Sequence, residues 1–312
     1  MKIVSLNIDV DPLFCYYSIH GIKKEDVPAR DPVIYASIPR FLEILERYSI
    51  KATFFITCGH LKKDDFSILK KIVEGGHEVA NHSFSHNYKL SLMSASDIEG
   101  DLMENHKAIA DNLEYECRGF RSPGYNSSRE IIKSVRSAGY IYDSSSFPSF
   151  IYNIAKWVII KKKKFSGKSS ASIINSFRDS FASCKPAFID NSITDRSNEG
   201  DFVELPITTL LPPLGIPLIG TSLTTFPKPL FKTMLYLSSL RNYVNVETHA
   251  IDLCEVSDSV LFMPVKNMQY DLKVSLDQKK RRITKTIEYY LKRGFVFKTL
   301  AEVAGLKLKK EI

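Results

Sequence analysis

The chain has 312 residues, 44% hydrophobic and 25% charged, which supplies a sizeable core and argues against a disordered or fibrous chain. Its net charge of +8 would suit nucleic acid, anionic lipid or a phosphorylated substrate, and equally a solvated lysine-rich surface. The five cysteines, Cys15, Cys58, Cys117, Cys184 and Cys254, are odd in number and contain no C-x-x-C pair, which argues against a disulfide framework and favours a reducing compartment.

Met1-Lys2 leads straight into Ile3-Val4-Ser5-Leu6-Asn7-Ile8, which reads as a core strand over 3–9 and not as the apolar region of a signal peptide. No run reaches the roughly 18 apolar residues of a membrane span, so a cytoplasmic location is expected. Apolar residues at helical spacing (Ile34, Ile38, Phe41, Leu42, Leu45) predict a helix over 33–48, followed by a short buried strand over 51–57. A helix over 66–74 ends at Gly75-Gly76, where a left-handed cap is expected. Strand 77–80, helix 96–113, strand 117–120, helix 128–138 and strand 140–142 follow, and later strand 244–246, helix 276–293 and strand 296–298. The alternation of strands and helices predicts an α/β fold.

Two segments break the pattern. Residues 147–200 hold the sole tryptophan, in Ile154-Ala155-Lys156-Trp157-Val158-Ile159-Ile160, followed by Lys161-Lys162-Lys163-Lys164. An amphipathic piece ending in lysines suits an anionic membrane surface, or else a core-facing helix and a solvated loop. Residues 210–240 open with prolines that forbid a long helix there. They would form either an apolar rim that receives a lipid tail or ordinary packing. The chain is expected to be one catalytic domain over 1–312, with 147–200 and 210–240 as insertions.

The residues that carry chemistry come at strand ends. Asp9 and Asp11 in Asp9-Val10-Asp11 share one face of an extended strand. His82 and His86, four apart in His82-Ser83-Phe84-Ser85-His86, would share one face of a helical turn. Two imidazoles and one carboxylate make a catalytic metal site with positions left for water and substrate. Arg121-Ser122-Pro123-Gly124-Tyr125, Asp143-Ser144-Ser145 and Thr248-His249 follow. Each candidate sits at or just past the C-terminal end of a predicted strand, the end that carries chemistry in parallel barrels.

This ordered series resembles the polysaccharide deacetylase family, the carbohydrate esterases with a NodB-like domain. Its aspartate, H-[ST]-x-x-H, R-x-P, aspartate and late-histidine motifs stand at Asp9/Asp11, His82/His86, Arg121/Pro123, Asp143 and His249. The match runs over 1–145 and resumes from Glu204-Leu205-Pro206 to about 302. The spaced Asp-x-Asp is the form of the branch that includes lipid-linked sugar deformylases and some peptidoglycan deacetylases. The resemblance implies a distorted (β/α) barrel of about seven strands, with Asp11, His82 and His86 as metal ligands, Asp9 as base and His249 as acid. It further implies that Arg121 pairs with Asp9. Asp143, or the competing Asp252, would orient His249, and the Tyr125 backbone N–H would face the oxyanion. Asn81 reads as a turn residue, and His20, His60, His77 and His106 as structural.

The implied reaction is metal-dependent hydrolysis of an N-acetyl or N-formyl group from an amino sugar. Zinc suits the ligand set, with cobalt, nickel, manganese or iron as alternatives. The expected substrate is a polyprenyl-phosphate-linked or other glycan-precursor sugar of the cell envelope, with peripheral contact at the inner membrane face. Rival readings are a hydrolase of small cyclic amides or ureides, and an inactive carbohydrate-binding relative. No nucleic-acid partner is expected, because the lysine run is local.

Overall fold

The computed structural model describes residues 1–22, 30–165, 173, 177–212 and 214–311. In chain order its elements are β1 (Lys2–Val10), α1 (Leu13–His20), α2 (Pro32–Arg47), β2 (Thr53–Ile56), α3 (Lys63–Glu74), β3 (Glu78–Asn81), α4 (Ala95–Leu113), β4 (Gly119–Phe120), α5 (Arg129–Ser137), β5 (Tyr142–Asp143) and α6 (Phe150–Phe165). Then come β6 (Ala187–Ile189), β7 (Arg196–Ser197), β8 (Val203–Glu204), β9 (Thr209–Leu210), β10 (Ile216–Pro217), α7 (Gly220–Thr225), α8 (Lys228–Ser239), β11 (Tyr243–His249), α9 (Leu276–Lys292), β12 (Phe295–Phe297) and α10 (Leu300–Leu308). The chain divides into a first unit (1–54, 60–78 and 218–299) and a second unit (55–59, 79–217 and 300–312).

In the first unit β1 is the organising strand. Every residue from Ile3 to Val10 is buried, as befits a parallel strand covered on both faces. One face carries Val4, Leu6, Ile8 and Val10; the other carries Ser5, Asn7 and Asp9. Both β11 and β12 pair with β1 in parallel. β11 repeats the two-faced pattern, with Val244, Val246 and Thr248 alternating with Asn245, Glu247 and His249. α2 starts where the sequence says it should. Pro32 occupies its first turn and the Asp31 carboxylate accepts from Val33 and Ile34 N–H. α3 ends at Gly75, but the left-handed residue is Gly76 (φ 70°).

The second unit holds a parallel run in which β3 pairs β4, β4 pairs β5 and β5 pairs β8. β6 then pairs antiparallel with both β8 and β7, an extension the sequence reading did not anticipate. β2 lies beside β3, with the Glu78 N–H on the Ala52 carbonyl in the first unit and the His82 N–H on the Ile56 carbonyl in the second. The fold is thus α/β with mostly parallel strands, as expected. Among the described strands, no hydrogen-bonded pairing closes either unit's sheet into a ring.

Three points correct or extend the sequence reading. The His82–His86 stretch is not a helical turn. It is an irregular loop after β3 in which Ser83 and His86 adopt left-handed backbone (φ 65° and 49°). The 147–200 insertion, whose order the sequence left open, contains α6, β6 and β7; its residues 166–172 and 174–176 lie outside the described residues, as does Pro213 of the second insertion. α1, between Asp11 and Gly21, was not foreseen. It closes on Gly21 in the left-handed region (φ 70°).

Gly119 of β4 faces Tyr142 of β5 in register, and a Cβ on Gly119 would fall inside the phenol ring. Gly119→Ala is therefore expected to lower stability by about 1–3 kcal/mol through overpacking. Thermal denaturation checks it, and an unchanged midpoint would contradict the packing.

Candidate active site

In the first unit the polar faces of β1 and β11 meet at their C-terminal ends. Asp9 stands opposite His249 in the register, and Asn7 opposite Glu247. Asp9, Asp11 and Glu247 are buried, and one ligand-type atom each from Asp9, Glu247 and His249 lies within 4.8 Å of the others. His249 Nδ1 sits 2.8 Å from Glu247 Oε1, and Nε2 sits 3.9 Å from Asp11 Oδ2. Burial alone would push this imidazole down. The Glu247 carboxylate outweighs that with help from Asp9 and Asp11, and holds the ring well above the usual histidine range. These carboxylates thus favour the imidazolium form of His249, whose side chain is 28% exposed.

The carboxylate behind His249 is therefore Glu247, where the sequence reading had Asp143 or Asp252. Asp252 serves the backbone: its Oδ2 accepts the His249 N–H at 2.8 Å. Burial, then the neighbouring Asp271, raise its own carboxyl well above the usual range. Gly220 makes room for it, because a Cβ there would collide with the Asp252 carboxylate. The strand period could have revealed Glu247, which lies two residues before His249 and so projects from the same face.

In the second unit the two histidines are placed by side-chain hydrogen bonds and not by helix geometry. Asn81 Oδ1 accepts the Ser83 N–H at 2.8 Å, an Asx-type turn. Ser83 Oγ accepts the His86 N–H, and the Asp101 carboxylate accepts the N–H groups of Phe84 and Ser85. Asn81, read as a turn residue, is a buried hub that also binds the Leu102 carbonyl and the Tyr140 hydroxyl. The His82 and His86 rings come to 5.0 Å between centroids, both buried. His82 Nδ1 donates to the Arg121 carbonyl at 2.7 Å. A carbonyl can only accept, so the ring's lone pair is on Nε2, the tautomer that binds a cation with a backbone group orienting it from behind. The histidine pair thus fits a divalent metal by its own chemistry.

Arg121 is fully buried. Its Nε and Nη2 donate to the carbonyl and hydroxyl of Ser144, each at 2.9 Å, and its guanidinium lies over the Phe55 ring. Asp143 stands opposite Glu204 in the β5–β8 register and accepts from Ser145 N–H and hydroxyl. Burial, then the charge of Asp143, raise the Glu204 carboxyl well above the usual range, so Glu204 holds the proton shared by this pair. Pro123 opens the 3₁₀ turn Pro123–Tyr125. The Tyr125 N–H, expected at the oxyanion, instead donates to the Ser122 carbonyl at 3.0 Å within that turn, so it is not counted as an oxyanion donor. The Tyr125 ring packs on Phe147.

The remaining histidines have partners outside these groups. His60 stacks on Phe14, His20 meets Gln269 and His106 meets Tyr140 and Glu116. Burial, then Lys51, push His77 down to about 4.

Residues 26–142 match the polysaccharide deacetylase family model, and the chain carries a polysaccharide deacetylase domain of the NodB type. It is 29% identical over 102 residues to a peptidoglycan-N-acetylglucosamine deacetylase of Bacillus cereus, covering 33% of this chain and 46% of that protein. It is 32% identical over 102 residues to a chitooligosaccharide deacetylase of Sinorhizobium fredii, covering 32% and 46%. The chain thus spans less than half the length of these curated relatives. In fold it is similar to a crystal structure from Mycobacterium smegmatis described as a polysaccharide deacetylase (TM-score 0.63, 14% identity, 99% of this chain and 91% of that one).

Glu247→Gln removes the charge that holds the His249 imidazole up, so its pKa is expected to fall. NMR titration of the metal-free protein checks this, and an unchanged or higher value would contradict the pairing.

Proposed function

We propose that this chain is a metal-dependent hydrolase that removes an N-acetyl group from an amino sugar. The carrying observation is the register of β1 and β11, which puts a carboxylate, Asp9, directly opposite a charged imidazole, His249. A base and an acid side by side are what amide hydrolysis needs: one group takes the proton of the attacking water, and the other gives a proton to the departing nitrogen. The relatives' own activities, on peptidoglycan N-acetylglucosamine and on chitooligosaccharides, support an amino sugar as the substrate.

The roles follow from the residues. Asp9 is the base. His249 is the acid, kept protonated by Glu247 and held in place by Asp252 at its backbone. Arg121, fixed by Ser144 and stacked on Phe55, is the proposed cationic partner of the base. Asp143 belongs to the proton-sharing pair with Glu204 that stiffens the adjoining strand ends. Asp11, His82 and His86 are the proposed ligands of a divalent cation, zinc by donor type. Bound there, such a cation would polarise the amide carbonyl and lower the pKa of water. A polyprenyl-phosphate-linked amino sugar is a second form of the same reading, favoured by the apolar, lysine-bordered outer face of α6.

Acetate release from chitooligosaccharides tests the reaction, with cyclic amides and ureides as the competing substrates. Turnover of the ureides and none of the sugars would move the assignment, and turnover of neither would favour an inactive carbohydrate-binding relative. Asp9→Asn is expected to keep its metal while losing about a hundredfold or more in rate, the scale of general base catalysis; retained turnover would remove Asp9 as base. His86→Ala is expected to lose metal by elemental analysis, and full occupancy would overturn the ligand assignment.

A further inference from the structure

α6 has two unlike sides. Its inner side is anchored within the second unit. Asn153 donates to the Ser180 hydroxyl at 2.7 Å, and Lys156 Nζ reaches the Gly124 carbonyl and Asn126 Oδ1, both at 3.3 Å. The Tyr152 ring packs on Phe147 and Tyr125. These contacts fix the helix's rotation.

The outer side is apolar and exposed. Ile151, Ile154 and Val158 recur at helical spacing with 41%, 41% and 49% exposure, and Phe165 extends the same stripe at 98%. At 100° per residue, Lys161 and Lys162 fall on either shoulder of this stripe and Trp157 on its border. The apolar surface continues into the turn between β9 and β10. There Leu211 and Leu214 are each about half exposed, and the Leu214 carbonyl accepts the Ile151 N–H at 3.0 Å. Soluble chains rarely leave such a patch uncovered without a partner.

We infer that this face, the outer stripe of α6 with Leu211 and Leu214, docks onto the surface of an anionic lipid bilayer. Two features choose lipid over another protein. Lysines are depleted from protein–protein interface cores, and two copies of this chain meeting here would set Lys161 and Lys162 against their own kind. Lysines that flank an apolar stripe can instead lay their stems along it and carry their charge to headgroup phosphates, while tryptophan favours that same boundary. The helix would lie in the interface plane, and no described helix is long and apolar enough to cross a membrane. The inner side of α6 holds the Gly124–Asn126 stretch, so docking would place the motif that begins at Arg121 close behind the lipid surface.

Co-sedimentation of the full chain with vesicles tests this without any use of activity, so it succeeds or fails separately from the hydrolase reading. The expected result is binding to vesicles containing phosphatidylglycerol, weak binding to phosphatidylcholine alone, and loss at high salt. Lys161→Glu with Lys162→Glu should weaken binding about tenfold or more, since each lysine near an anionic surface contributes about 1 kcal/mol. Ile154→Asp with Val158→Asp, both at exposed positions and checked for folding by circular dichroism, should abolish it. Three results would overturn the inference: no sedimentation with anionic vesicles, equal binding by parent and variants, or a dimer in light scattering that Ile154→Asp dissolves.

Discussion

Buried negative charge at the ends of β1 and β11 sets the terms for the rest of the site. Asp9, Asp11 and Glu247 are all withdrawn from water on one polar face, and uncompensated carboxylates in such a place are costly. The chain answers part of this itself. His249 carries a positive charge against Glu247, and burial, then Asp271, push Asp252 toward its protonated form. The same charges that stabilise the imidazolium keep a proton on the ring, where a departing nitrogen can take it up. Electrostatic compensation in the fold and the proposed acid catalysis are thus one arrangement. A divalent cation on Asp11 would complete the compensation.

The second unit meets the same constraint with hydrogen bonds. Arg121 has no exposed surface, yet its guanidinium is held by both oxygens of Ser144 and by an aromatic face. The Asp143 carboxylate is satisfied by Ser145 and by a protonated Glu204. The loop that bears His82 and His86 is fastened by Asn81, Ser83 and Asp101. A network in which every member has a partner rigidifies its surroundings, and rigidity is what catalytic and metal-binding side chains require.

Much of this was legible in the sequence because strand period and motif order are local properties. The strand ends at Val10, Asn81, Phe120, Asp143 and His249 stand where the apolar runs stop. What escaped depended on context. The histidine spacing suggested a helical turn, but side-chain bonds from Asn81, Ser83 and Asp101 impose an irregular loop instead, and spacing alone does not show such bonds. Glu247 was passed over because the predicted strand over 244–246 stopped short of it, whereas β11 runs on to His249. Yet the alternation Asn245-x-Glu247-x-His249, matched by Ser5-x-Asn7-x-Asp9-x-Asp11, marks two strands with a buried polar face. The protonated partner of Asp143 required the β5–β8 register, a long-range fact that local pattern does not contain. α6 was visible as an amphipathic piece, but which face turned outward was not.

The central claim is that the proton-transfer residues work together with a divalent cation. It is tested most directly by following acetate release from chitooligosaccharides in chelator-treated protein before and after zinc is restored. The account predicts no release without metal and recovery on zinc addition, with the metal remaining bound at pH values where His249 is still charged. Release at the same rate with and without metal would contradict it.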